Sequence, residues 1–200
     1  MDLDLVRTRY PAQEREGDAA WAHVSGWAQL SGHRQNISCI VPTLDQAPIL
    51  ATMLPELSDV LTECGYPWEV VIVDAGSRDT TEALLRAWCQ FDGFRALMLR
   101  EEIGRTSAIT IGLQEARGDA VVLLDPASEH PLSLLRQMVI LWEGGADVTC
   151  AVRDPRSGES HIFSWGRPES GMEPHGLPGL TVDASKLILI GRGFIDELLR

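Results

Sequence analysis

The feature that most restricts this chain is an alternation. Five short apolar runs, Ile37–Val41, Glu69–Val73, Phe94–Leu99, Ala120–Leu124 and Asp147–Val152, are separated by segments with helical spacing. Runs of that length and branching suit strands buried on both faces. In the first gap Ile49, Met53, Leu57, Val60/Leu61 and Cys64 recur at helical intervals, with Pro55 expected to kink or divide the helix. In the second, Asp79-Thr80-Thr81-Glu82 reads as a capping-box variant ahead of an apolar face of Ala83, Leu84, Ala87, Trp88 and Phe91. A third helix is expected from about Thr106 to Ala116, and a fourth after Pro131 with Leu134, Leu135, Met138, Leu141 and Trp142. Strand and helix in strict alternation imply an α/β fold: a mainly parallel sheet with helices on both faces.

The two ends of the chain depart from this rhythm. Residues 1–35 mix charges of both signs with Trp21 and Trp27, show no strand pattern, and read as an extension ahead of one domain over 36–200. In Asp154–Leu180, nine of 27 residues are Gly or Pro, so a long, mobile loop is expected there. Pro42 is expected to end the first strand. Leu187–Ile190 and Ile195–Leu199 restore apolar order as a short strand or turn and a final helix.

Charge narrows the partners. A formal net charge of −12 argues against nucleic acid and anionic lipid as general partners, but leaves an anionic small ligand wherever arginines gather. The four cysteines, Cys39, Cys64, Cys89 and Cys150, lie in or beside apolar segments and form no C-x-x-C pair. They read as reduced thiols of a cytoplasmic protein rather than a zinc site or a disulfide framework. The acidic N-terminus is not a signal peptide, and no segment approaches the ~20 apolar residues of a membrane span. Homo-oligomer formation is left open.

In open parallel sheets ligands bind at the carboxyl ends of the strands. Those ends are Pro42-Thr43-Leu44-Asp45, Asp74-Ala75-Gly76-Ser77, Arg100-Glu101-Glu102, Asp125 and Arg153. Asp74 suits either the base edge or ribose of a nucleotide, or the amides of its own turn. Gly76 permits a tight turn and close backbone approach, and Ser77 bonds locally as the next helix begins. Asp79 reads as a helix cap. Arg105 stands at an expected helix start, where free amides already favour an anion.

Four motifs together resemble family-2 glycosyltransferases, which have the nucleotide-diphospho-sugar-binding GT-A fold. The polyprenyl-phosphate (dolichyl-phosphate) sugar transferases are the most similar subgroup. IVPTLD at Ile40–Asp45 is similar to a strand and turn ending P-T-Y-N-E; VIVDAGSRDT at Val71–Thr80 to V-V-D-D-G-S-x-D-G-T; IGRTSA at Ile103–Ala108, running on to Gly112, to G-K-x-x-A-x-x-x-G; and LDPASEHP at Leu124–Pro131 to L-D-A-D-x-Q-H-P. The resemblance covers about Ile37–Ser160.

It implies transfer of a sugar from a UDP- or GDP-linked donor to an acceptor, with a polyprenyl phosphate as one candidate. It implies nucleotide contacts from Pro42, Thr43, Leu44, Asp45, Asp74, Gly76, Ser77, Arg105 and Arg156, and a catalytic role for Asp125 and Arg153. It also implies Mg²⁺ or Mn²⁺. Here the chain departs from the family: Ala127 stands where the second Asp of D-x-D would ligate the ion, leaving Asp125 and Glu129 as the metal candidates. Asp45 replaces the usual Asn and Arg105 the usual Lys. An alternative therefore stands beside the enzyme: a degenerate relative that binds nucleotide as a scaffold.

Overall fold

The computed structural model describes residues 6–7, 35–128, 132–153, 156–157, 159–166 and 187–198. The chain forms β1 (Val6–Arg7), β2 (Ile37–Thr43), α1 (Ala47–Glu63), β3 (Trp68–Asp74), α2 (Thr81–Trp88), β4 (Phe94–Met98), α3 (Arg105–Glu115) and β5 (Ala120–Leu123). After a 3₁₀ turn at Leu132–Leu134 come α4 (Leu135–Glu143), β6 (Ala146–Arg153), β7 (Ser160–Gly166), β8 (Leu187–Gly191) and α5 (Arg192–Leu198).

One sheet takes the order β1-β4-β3-β2-β5-β8-β6-β7. Its centre, β4-β3-β2-β5, is parallel. β8 lies antiparallel between β5 and β6, so β6 runs with the parallel set. The edges β1 and β7 are antiparallel to their neighbours. The expected α/β architecture, a mainly parallel sheet sandwiched by helices, is what forms.

Period-two alternation assigns the two faces. Ile37, Cys39 and Val41 point into a core shared with Leu50, Leu54, Leu57 and Leu61 of α1, Leu85 of α2, and Leu135 and Met138 of α4. Ile40, Val121 and Leu123 point the other way, toward Ile109 of α3 and Ile195 of α5. Each such leucine or isoleucine contributes about 1.5–3 kcal/mol by leaving water. The binding rim therefore stands on a well-buried base.

Several expectations are corrected. α1 is continuous through Pro55, because that residue lies on the exposed face, where water serves the carbonyl its missing N–H leaves. Its buried stripe is Ala47, Leu50, Leu54, Leu57 and Leu61, while Ile49 is 40% exposed. In α2 the buried positions are Thr81 and Leu85, and Phe91 is 62% exposed beyond the helix end. Residues 160–166, expected in a loop, are an edge strand paired with β6; the rest of Asp154–Leu180, apart from 156–157 and 159, lies outside the described residues. In the N-terminal extension Val6 and Arg7 pair with Met98 and Leu97.

Pro42 does not end β2, which runs on to Thr43 opposite Asp74. Within a strand the N–H and C=O of one residue face the same neighbour. Ile40 faces β5 and accepts from Leu124 N; Thr43 faces β3 and accepts from Ala75 N. Pro42 thus turns its hydrogen-free nitrogen to the β5 side, past the last ladder pair, Ile40 with Leu123. β2 and β5 part there, and the gap opens at the carboxyl rim.

Candidate functional site

That gap is also where the topology reverses. From β2 the chain steps to β3 and β4 on one side, then returns to place β5 on the other, and a crevice outside the strand ends follows from such a switch. A cavity of about 220 Å³ opens beside it at the carboxyl rim, between the ends of β2 and β3 and the start of α3. Pro42, Thr43, Leu44 and Gln46 line it from the end of β2, Ala75 from the end of β3, and Ile103, Arg105 and Ala108 from the start of α3.

Two loops build the floor by bonding to each other. Asp74 is 2% exposed, and its Oδ1 accepts from Ser77 N at 2.9 Å and Ser77 Oγ at 2.6 Å. Ser77 Oγ accepts in turn from Asp45 N at 2.8 Å. Asp45 Oδ1 accepts from Arg78 N at 2.6 Å and Asp79 N at 3.1 Å. The conformation behind this is unusual: Asp45 has φ +52°, in the left-handed region that Asn and Asp tolerate better than other side chains. The Asp for Asn exchange therefore preserves the turn.

Asp79 ties the same loops to their helices. Its Oδ1 accepts from Thr81 N at 2.8 Å and its Oδ2 from Ala47 N at 3.3 Å, the first amides of α2 and α1. It acts as a cap, but not through a capping box: the N-cap residue Thr80 makes no side-chain bond, and Glu82 pairs with Arg86 instead. Gly76 has φ +99°, and a Cβ there would lie 2.7 Å from the Glu101 carbonyl carbon. Its missing side chain admits the backbone after β4, where Ile103 N donates to Ala75 O at 3.1 Å.

The charged element is a pair. Arg105 Nη2 lies 3.0 Å from Asp125 Oδ2, with the Asp125 side chain 8% exposed and that of Arg105 38%. Asp125 Oδ1 accepts from Ala127 N at 2.9 Å, and Oδ2 also accepts from Ser128 Oγ at 3.0 Å. Among the described residues Arg105 Nε is buried without a partner. A cation as first residue of a helix opposes the helix dipole, and Asp125 supplies the compensating anion. α3 itself presses on the sheet through small residues: Ala108 is fully buried, and a Cβ on Gly112 would lie 2.4 Å from Ile40 Cγ2. Those are the small positions of the Gly104-Arg105…Ala108…Gly112 motif, and close packing accounts for them.

Of the residues expected from sequence, Pro42, Thr43, Leu44 and Arg105 meet at the cavity, and Asp125 joins them through Arg105. Asp45, Asp74 and Ser77 bond to one another behind it. Arg153 ends β6, with its side chain outside the described atoms, and Arg156 is exposed in a turn. Glu129 lies outside the described residues. Sequence reading missed Gln46, Ala75, Ile103 and Ala108. Gln46 carried a signal in its spacing: it sits three residues after Thr43, whose Oγ1 donates to Gln46 Oε1 at 3.1 Å.

A divalent ion of the Mg²⁺ or Mn²⁺ type needs several oxygen ligands with lone pairs to give. Among the described residues no three His, Cys, Asp or Glu side chains gather for one. Asp125 already holds an amide, a hydroxyl and a guanidinium, and Ala127 offers a methyl group. The described residues, as arranged, do not fit a resident divalent ion.

The family model of Glycosyl transferase family 2 matches residues 38–195, from β2 into α5. The chain belongs to this family. A relative from Bacillus subtilis (strain 168), an uncharacterized glycosyltransferase, is 28% identical over 86% of the chain and 54% of its own length. An undecaprenyl-phosphate 4-deoxy-4-formamido-L-arabinose transferase of Pseudomonas paraeruginosa is 31% identical over 60% of the chain and 36% of its own length. The family-2 chain thus spans between about a third and about half of these relatives. A mannosyltransferase from Pyrobaculum calidifontis, solved with GDP-Man and Mn²⁺, superposes with a TM-score of 0.55 at 21% identity, covering 89% of this chain and 52% of that one. That likeness establishes the shared GT-A architecture. Among the described residues no helix is long and apolar enough to cross a membrane.

Proposed function

We propose that this chain binds a nucleotide-diphospho-sugar, UDP- or GDP-linked, in the cavity at the carboxyl rim beside β2, β3 and α3, and transfers the sugar to an acceptor. The observation that carries the reading is the meeting of an apolar-walled cavity with a guanidinium at the carboxyl rim of a family-2 domain. A planar base suits Pro42, Leu44, Ala75 and Ile103, and an anionic diphosphate suits Arg105. As the donor bond breaks, negative charge grows on the departing diphosphate, and a fixed cation stabilises it. Arg105 would supply that charge, joined by Arg153 at the end of β6 and Arg156 in the following turn. Polyprenyl phosphate is the proposed acceptor class, because the relatives from Pseudomonas paraeruginosa and Shigella phage SfV are named for undecaprenyl phosphate and bactoprenol. A reducing, cytoplasmic setting suits the four free cysteines. Mg²⁺ or Mn²⁺ between Asp125 and Glu129 is what the family resemblance implies; the charge that Arg105 would supply does not depend on it.

Calorimetric titration with UDP- and GDP-sugars, with and without Mn²⁺, tests the binding step. Release of UDP or GDP on addition of a polyprenyl phosphate tests the transfer. Absence of binding by every donor would end the reading. The second reading, a nucleotide-binding scaffold, draws support from the rim carboxylates: Asp74, Asp79 and Asp125 hold amides of their own loops, and Asp45 holds those of the neighbouring loop. Binding with no transfer to any acceptor would favour it.

A further inference from the structure

We infer that Arg105, anchored on Asp125, is the resident cation for the donor's diphosphate, so that nucleotide binding at this rim is independent of divalent metal. The inference rests on the nucleotide reading above and deepens it.

The donor set argues for it. An ionised carboxylate has about four lone-pair positions. Three of those of Asp125 are already used, by Ala127 N, Ser128 Oγ and Arg105 Nη2. Oδ2 is fully engaged, and an ion on the one remaining position, at Oδ1, would share this carboxylate with the guanidinium, like charge near like charge. Two residues along, Ala127 has no oxygen with which to draw the ion away from that contact.

The guanidinium, by contrast, is incompletely used. Of its five N–H donors, the one on Nε is buried with no acceptor among the described residues, and Nη2 is held by Asp125. A buried donor without an acceptor is costly, and a small turn of the side chain would carry it to a ligand oxygen in the cavity. Arg105 also lines the cavity, beside the first amides of α3. A nucleoside diphosphate brings planar pairs of phosphate oxygens, which match the guanidinium fork. Asp125 is then a positioning residue: buried and triply bonded, it fixes the direction of Arg105 and balances its charge until the donor arrives.

The test is calorimetric titration of the full chain with UDP and with GDP, in excess Mn²⁺ and in excess chelator, for the parent, Arg105→Met and Arg105→Lys. The parent's affinity should agree between the two conditions to within about twofold, less than one charged hydrogen bond contributes. Arg105→Met should lose about 10- to 100-fold under both, the loss of one or two charged hydrogen bonds. Arg105→Lys keeps the charge without the fork and should fall between, which covers the case of a poorly folded Met variant. A gain of about tenfold or more with Mn²⁺ in the parent overturns the inference while leaving the nucleotide reading intact. Full parental affinity in both variants also overturns it. No binding of either nucleotide by the folded parent overturns the nucleotide reading and this inference together.

Discussion

The two ends of the sheet carry similar chemistry arranged to opposite effect. At the amino end Ser38 Oγ donates to Glu69 Oε1 at 2.6 Å and accepts from the amides of Arg117 and Gly118. Glu69 Oε2 pairs with Arg95 at 2.9 Å, and Arg95 also bonds the Glu115 carbonyl. Arg192 donates to the carbonyls of Ala116 and Gly118, and Asp119 Oδ2 accepts from Asn36 N. Each of these arginines ends on a protein oxygen, so the cluster closes the C-terminus of α3 onto the sheet and asks for no ligand. At the carboxyl end the loops are equally well knitted, but Arg105, which lines an open cavity, keeps a buried donor with no acceptor among the described residues. A polar cluster that satisfies itself is structure; one that stops a hydrogen bond short is where a ligand belongs.

The contrast breaks most readily at Gly118. A Cβ there would meet Ser38 N at 2.4 Å and Ala120 O at 2.6 Å, both backbone atoms that cannot yield. Gly118→Ala should cost about 2–3 kcal/mol of stability by overpacking, read as a lower denaturant midpoint with nucleotide affinity kept. Lost affinity in a folded Gly118→Ala protein would erase the distinction between the two ends.

At the carboxyl rim, Ala127→Asp adds a second carboxylate two residues from Asp125, as the resemblance to D-x-D would have it. Affinity for UDP or GDP should then become Mn²⁺-dependent by about tenfold, or about 1.4 kcal/mol, because two carboxylates draw an ion that one engaged carboxylate does not. Metal independence in this variant would mean that the strand end cannot present a pair.

Glu69→Gln should cost about 1 kcal/mol at neutral pH, since it weakens bonds to a charged acceptor. Its pH dependence sharpens the comparison. Burial raises the Glu69 pKa, but the Ser38 hydroxyl, the Arg117 amide and Arg95 outweigh it, so the carboxyl lies below its usual value. A lowered folded pKa gives stability that is present above the unfolded pKa and fades as pH falls through the folded one. Parent and Glu69→Gln melting curves should therefore converge in acid and separate as pH rises past the ordinary glutamate range.

The smallest effect belongs to Asp45→Asn. An amide oxygen can still accept from Arg78 N and Asp79 N, and Asn tolerates positive φ. The change should stay within about 0.5 kcal/mol in denaturant titration. A larger loss would show that the charge of Asp45, not its geometry, holds the loops together.

Much of this was legible because it is local. The strand and helix alternation, and the placing of Asp74, Gly76, Arg105 and Asp125 on strand ends or a helix start, follow from spacing alone. The facing of α1 was not legible: Ile49-Leu50 and Met53-Leu54 offer two adjacent apolar stripes, and only the sheet decides which is buried. β7 escaped because Ser160-His161-Ile162-Phe163-Ser164-Trp165 is half exposed, sits among Gly and Pro, and takes its hydrogen bonds from β6. The Asp45–Ser77–Asp74 relay and the Arg105–Asp125 pair join residues far apart in the chain, and no periodicity encodes such contacts.

The tight seat of α3 on Ile40 has a mechanical consequence. Gly112 lies seven residues from Arg105, about 10 Å along the helix axis. A side chain at Gly112 would wedge the helix off the sheet, and a rigid helix turns a small lift at one point into a displacement at its tip. The aim of a guanidinium at the rim is thus set by the absence of a methyl group two turns away, where α3 rests on Ile40 and Val73.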